Sequence, residues 1–240
     1  MSQAPLTERI ATELGARIVN EELRPGSVLL LEELGAEFGV SRTVAREAVK
    51  LLESHQLVTS RRRVGVQVQP PGSWSALSPF VLRARLAGPR RLEQLEAISQ
   101  LRRGVEPIAA GLAAVHASDE QQQALVGAAL GMAQTGRVIA GALPDLQAYL
   151  AHDVVFHRTL LIASGNPLMA SLADIIEEVL TARTNHHLMP PVPNPDAIRL
   201  HRQVALAIAD GDAVGAEQAM REIVDEARAA VATMAQEPGR

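Results

Sequence analysis

The chain has 240 residues, 47% of them hydrophobic and 21% charged, with a formal net charge of −4. That length and apolar fraction support one large or two modest packed domains and exclude a disordered or fibrous chain. No run approaches the roughly 20 consecutive apolar residues of a membrane helix, Glu8 and Glu13 stand where a secretory signal would be apolar, and zero cysteines remove disulfides, thiolate metal sites and a cysteine nucleophile.

From Leu6 to Asn20, apolar residues recur at Ile10, Leu14, Ile18 and Val19, the spacing of an amphipathic helix. Leu23-Arg24-Pro25-Gly26 breaks it. A second helical pattern through Leu31, Leu34, Ala36 and Phe38 stops at Gly39, and Ser41 caps a third through Val44, Ala45, Ala48, Val49, Leu51 and Leu52. Two helices joined by a tight Gly-Val turn are a helix-turn-helix. The period then changes: Leu57-Val58-Thr59-Ser60 and Val64-Gly65-Val66-Gln67-Val68 read as two strands with a basic tip, the hairpin called a wing. Pro70, Pro71 and Gly72 close this unit. From Leu92 to Ala235 the pattern is helical, interrupted near Gly141–Pro144, Gly165–Pro167, Pro190–Pro195 and Gly211, which predicts a bundle of about six or seven helices. The expected fold is mainly α: a winged helix-turn-helix over residues 1–72, a connector over 73–89, and an all-α antiparallel bundle over 90–236.

Charge is distributed unevenly. Residues 1–40 carry three Arg against seven Glu, whereas residues 41–63 carry Arg42, Arg46, Lys50, Arg61, Arg62 and Arg63 against Glu47 and Glu53. A basic cluster on an otherwise acidic chain meets a phosphate backbone in one orientation. A recognition helix presents its first two turns to base edges, and Ser41, Arg42, Thr43 and Arg46 occupy them. Arg matches the O6/N7 edge of guanine with two donors. Glu47 is expected to orient an Arg through an ion pair. Arg61, Arg62 and Arg63 suit phosphate or minor-groove contact, with Gly65 allowing a close backbone turn. The expected partner is a double-stranded DNA operator, read by a homodimer because one helix reads only a few base pairs. A soluble cytoplasmic protein without membrane association follows.

In the bundle, Asp153 and His157 stand four residues apart and share a helix face, and His201 opens another helical run. An Asp and two His on facing helices suit a divalent metal such as zinc, nickel or manganese. Ordinary buried histidines satisfy the same pattern. Arg102 offers paired donors to a carboxylate, or to Glu106 one turn on. Asn166 lies in Gly-Asn-Pro, an effector contact or a turn.

The run Gly39-Val40-Ser41-Arg42-Thr43-Val44-Ala45-Arg46-Glu47-Ala48, with Leu51, Leu52, Leu57-Val58 and Arg63-Val64-Gly65-Val66-Gln67-Val68, resembles the GntR family of bacterial regulators. One departure is that Glu32 and Glu33 stand in the helix before the turn, where many members carry Arg. The run Leu101-Arg102-Arg103-Gly104-Val105-Glu106-Pro107 and the run Asp153-Val154-Val155-Phe156-His157 with Ser164-Gly165-Asn166-Pro167 resemble the FCD domain of FadR-type members, as does His201 through Asp210-Gly211-Asp212 to Ala219-Met220-Arg221. The resemblance implies a regulator, commonly a repressor, whose operator binding answers a small organic acid. It implies a metal held by Asp153, His157 and His201, and Arg102 facing the effector. The family's fourth ligand falls at Ile223, whose side chain cannot ligate, so water, effector or another side chain completes the set. His186 and His187 are loop substitutes, and some members bind the effector without metal. Trp74, Leu77, Pro79, Val81-Leu82-Arg83 and Pro89-Arg90-Arg91-Leu92 resemble the connector of sugar-acid regulators, which points to an aldonic or 2-keto-deoxy sugar acid.

Two rivals remain at this level. A metalloenzyme would use Asp153, His157 and His201 as ligands with Glu106 as base, but it leaves the basic hairpin without a role. A winged helix that binds protein instead of DNA is disfavoured by Arg42 and Arg46 at the head of the recognition helix.

Overall fold

A computed structural model describes residues 5–138, 141–185 and 190–236. The chain forms two compact units, one ending at Arg91 and the other beginning at Leu92.

The first unit opens with α1 (Leu6–Val19), whose Ile10, Ala11, Leu14 and Ile18 are buried on one face. After the Pro-Gly turn, β1 (Val28–Leu29) precedes α2 (Leu31–Phe38) and α3 (Arg42–Ser54). Gly39 ends α2 at φ 64°, the left-handed region that costs a side-chain-bearing residue most. Ser41 then caps α3, its hydroxyl accepting from Val44 N at 3.4 Å. Ala45, Ala48, Val49 and Leu52 turn inward, so α3 keeps its polar side chains for the outside. Each large apolar side chain so buried contributes roughly 1.5–3 kcal/mol.

The wing is β2 (Val58–Arg61) and β3 (Gly65–Val68), antiparallel with Val58 opposite Val68 and Arg61 opposite Gly65. Arg61 therefore belongs to a strand, and Arg62, Arg63 and Val64 form the three-residue tip, with Arg63 at φ 66°. The sequence predicts two strands, and the sheet has a third: β1 pairs with β3 in the order β1-β3-β2. Two residues are too short to show a period of two, which is why β1 escapes the pattern. Its presence gives Gly65 a second duty. At φ 119° a Cβ there would lie 2.8 Å from Val28 Cγ1 and 3.0 Å from Leu29 O.

The segment expected as a connector, 73–89, folds onto this unit. It follows the turn Pro71–Ser73 and contains α4 (Pro79–Ala87), with Val81, Leu82 and Leu86 buried. Phe80 stacks on His55 at 4.6 Å, and Trp74 donates its indole N–H to Gln69 O at 2.9 Å. Apolar anchors spaced along 74–86 make this a packed part of the unit.

The second unit comprises α5 (Arg91–His116), α6 (Asp119–Thr135), α7 (Leu146–Ala163), α8 (Pro167–Ala170), α9 (Ala173–Asn185), α10 (Pro195–Ala209) and α11 (Ala213–Gln236). The helical period predicts unbroken helix where α5 meets α6. The break there is a capping box: Ser118 Oγ accepts from Gln121 N, and the Gln121 side chain accepts from Ser118 N. α7 packs on α6 and α9, and α10 packs on α6 and α11. Phe156, Leu160, Leu161, Val204 and Ile208 lie in the core between them.

Candidate nucleic-acid interface and metal centre

On the first unit, Ser41, Arg42, Thr43 and Arg46 are all exposed on the first turns of α3, and Arg61, Arg62 and Arg63 are exposed on the wing. The fold gathers both groups through the α3–β2 junction, where Leu57 and Val58 are buried and Ser60 N donates to Glu53 Oε1 at 2.6 Å. The expected ion pair of Glu47 with an Arg is corrected: Glu47 accepts from Lys50 at 2.8 Å, one turn on, and Arg42 pairs with Glu32 of α2 at 2.8 Å. The i,i+3 position brings lysine to Glu47 before any arginine. Gly65 is set by backbone conformation and its closeness to β1.

In the second unit, Asp153 and His157 sit one turn apart on the buried face of α7, with Tyr149 and Leu160 completing that face. His201 comes from the buried face of α10, beside Leu200, Val204 and Ala205. The structure brings these three together. Asp153 Oδ1 is 3.3 Å from His157 Nε2 and 3.3 Å from His201 Nε2, and the two Nε2 atoms are 3.4 Å apart. A tetrahedral ion with bonds of about 2.0–2.2 Å has ligand-to-ligand edges of roughly 3.3–3.6 Å. The observed triangle has those dimensions. Asp153 Oδ1 is fully shielded from solvent yet forms no well-aligned hydrogen bond, a costly arrangement for a carboxylate unless a cation completes it. The donors fit a divalent metal.

A backbone contact holds the His201 imidazole in a ligand-ready form. His201 Nδ1 donates to Ala197 O at 2.7 Å, which leaves the Nε2 lone pair facing Asp153. His157 Nδ1 lies 3.1 Å from Glu106 Oε2, and Phe156 meets both rings edge-on. Glu106 is wholly buried on α5; burial acts to raise its pKa, but the charges of Arg102 and His157 outweigh burial and hold it at about 2. For Asp153, burial is likewise overcome by the two histidine contacts, and its pKa lies well below the ordinary carboxylate value. Burial lowers the His157 pKa, but Glu106 and Asp153 more than offset burial and leave it above the ordinary imidazole value.

Arg102, expected at the effector or paired with Glu106, makes the Glu106 pair, and its Nη2 also lies 3.4 Å from His157 Nε2 at the edge of the Asp-His-His set. Its Nε and Nη2 donate to Glu106 at 2.7 and 3.1 Å, and the side chain is 3% exposed. Asn166 caps α8, its side-chain oxygen accepting from Leu168 N at 2.9 Å. Ile223, at the position of the absent fourth ligand, is buried in the apolar core. His186 and His187 lie outside the described residues. Sequence reasoning missed one buried charge in this unit, Arg183. Arg183 follows Ile176, Val179 and Leu180 on the buried face of α9, and a charge at helical spacing on an apolar face was the available signal.

Comparison with known proteins agrees with this division. Residues 6–68 match the bacterial regulatory proteins of the gntR family, and residues 97–226 match the FCD domain. The HTH-type transcriptional regulator YieP of Escherichia coli K12 is 30% identical over 88% of this chain and 90% of its own. The galactonate operon transcriptional repressor of the same organism is 30% identical over 89% and 91%. Among solved structures, a GntR protein of Streptococcus agalactiae superposes with a TM-score of 0.50 at 26% identity, covering 93% of this chain and 99% of that one. The domains and relatives are those of transcriptional regulators, not enzymes, which removes the metalloenzyme reading. Exposed arginines on a winged helix and a buried Asp-His-His set in a helical bundle thus have one common setting, and the chain belongs to the GntR family of ligand-modulated DNA-binding regulators, with an FCD domain following its winged helix.

Proposed function

We propose that the protein is a cytoplasmic homodimeric repressor that reads a palindromic operator with α3 and the wing, and that a small carboxylate acid bound in the FCD bundle controls its release. Ser41, Arg42, Thr43 and Arg46 address the major groove; Arg61, Arg62 and Arg63 address phosphate, with Gly65 shaping the wing. Asp153, His157 and His201 hold a divalent cation, zinc above others because two imidazoles and one carboxylate suit it. Bound there, the cation supplies an electrophilic centre for an anionic ligand, while Glu106 and Arg102 fix the orientation of His157. The carrying observation is the triangle of 3.3, 3.3 and 3.4 Å around an unsatisfied buried carboxylate oxygen. A relative that represses a galactonate operon supports sugar acids as the effector class. Because Ile223 supplies no donor, at least one coordination position is left for water or effector.

The test is zinc content and zinc titration of the full chain, wild type against Asp153→Asn and Ile223→His. Zinc binding that Asp153→Asn abolishes and Ile223→His tightens supports the site. A wild-type chain that takes up no zinc, nickel or manganese rejects it. A mobility shift on the DNA upstream of the protein's own gene, reversed by a sugar acid, tests the regulatory half.

A further inference from the structure

We infer that Arg183, and not Arg102, is the residue that grips the effector's carboxylate, with Arg102 acting as a positioning residue for Glu106 and His157. This rests on the reading of the FCD bundle as the effector site. The two arginines differ in what neutralises them. Arg102 is met bidentately by a carboxylate that is itself fully buried. A second carboxylate at Arg102 would have to displace Glu106 and take away the partner of His157.

Arg183 has no such partner. It is 9% exposed on the inner face of α9, and its Nε is shielded from solvent with no acceptor. Among the described residues no hydrogen bond or ion pair engages its guanidinium. It lies within electrostatic reach of Arg102, Asp153, Glu226 and Tyr149, in the same part of the bundle as the proposed metal ligand Asp153. Burial and then the neighbouring Arg102 depress its pKa, with Asp153, Glu226 and Tyr149 opposing, and the guanidinium lacks a bonded carboxylate. Neither acid supplies it: Asp153 Oδ1 faces the two histidines, and Glu226 accepts from Asn194 at 2.9 Å.

Counting charges gives the ligand's sign. Arg102 and Arg183 stand against Glu106, Asp153 and Glu226, so a divalent cation on Asp153, His157 and His201 leaves the cluster one positive charge in excess. Buried charge in that amount calls for an anion. The planar fork of Arg183 suits a carboxylate, and the cation's open position accepts a second oxygen from the same molecule. The chemical class is a small acid carrying a carboxylate with a neighbouring oxygen, as 2-hydroxy and aldonic acids have.

The experiment uses the full chain as wild type, Arg183→Met, Arg183→Lys and Arg102→Met. Zinc is titrated first; lactate, citrate, D-gluconate and D-galactonate follow, with galactitol as the uncharged control. Thermal unfolding is read throughout. Arg183→Met should bind zinc at least as tightly as the wild type, lose acid binding at least 100-fold, and unfold at a higher temperature without ligand, since it removes a buried guanidinium whose Nε has no acceptor. Arg183→Lys should keep part of the acid binding. Arg102→Met should lose zinc affinity first. An Arg183→Met chain that binds the acids normally, or that melts well below the wild type without ligand, overturns the inference and leaves the metal site standing. A wild type that binds acid through Arg183 without taking zinc supports the inference while rejecting the metal. A wild type that binds none of the acids overturns the inference together with the effector reading.

Discussion

The winged helix and the FCD bundle spend the same residue types in opposite ways. Arg42, Arg46, Arg61, Arg62 and Arg63 are exposed, and water screens them until phosphate arrives. Arg102 and Arg183 are buried, where each must be neutralised by the protein or by a ligand. The contrast separates two kinds of readiness. Exposed cations confer long-range, salt-sensitive attraction and cost the fold little. Buried ones confer chemical selectivity and put stability at stake.

The sharpest way to break this contrast is at Glu106. Glu106→Ala leaves Arg102 buried without its partner and should cost about 3–5 kcal/mol, seen as a large loss in the unfolding transition of the second unit. Replacing both, Arg102→Met with Glu106→Leu, should restore most of that stability while zinc affinity stays low. A single variant as stable as the wild type would show that Arg102 finds water or another acceptor. The exposed side of the contrast is tested at the wing. Arg61, Arg62 and Arg63 changed together to Ala should leave stability within about 0.5 kcal/mol and flatten the dependence of log affinity on log salt by about 0.9 for each phosphate they no longer neutralise. An unchanged slope in a salt titration would take the wing off the backbone.

The elements that carry the first unit were legible because each has a local cause. Gly39 stops α2, Ser41 starts α3, and apolar residues at Ala45, Ala48, Val49 and Leu52 orient it. β1 was not legible, since its two residues become a strand only through pairing with β3. In the second unit the triad was legible from i,i+4 spacing and family resemblance, but how its neighbours pair was not. The i,i+4 spacing offered Glu106 as one of two partners for Arg102, and choosing between them depends on the tertiary surroundings of α5, which no local pattern encodes. The Ser118–Gln121 capping box was readable as Ser-x-x-Gln, but the helical period on both sides hid it.

Base reading should fall at Arg46. It is exposed in the second turn of α3, and Arg46→Ala should weaken operator binding by about 1–3 kcal/mol while leaving binding to unrelated DNA nearly unchanged. Equal losses on both DNAs in parallel mobility shifts would reassign Arg46 to phosphate.

The smallest effect probes whether the exposed cations are as free as their exposure suggests. Arg42 is held by Glu32 at 2.8 Å, with both side chains more than 60% exposed, so the pair contributes only about 0.2–1 kcal/mol. DNA contact by Arg42 requires that pair to open, and Glu32 also sets a negative charge near the phosphates. Glu32→Gln should therefore tighten DNA binding about 1.4- to 5-fold at low salt, with the gain fading as salt screens the pair. A cycle with Arg42→Ala separates the two causes. If Glu32 acts by restraining Arg42, Glu32→Gln changes nothing once Arg42 is gone; if it acts by repelling phosphate, the gain survives. No gain in either background would mean that Arg42 keeps Glu32 on the operator and helps position α2 instead of reading DNA.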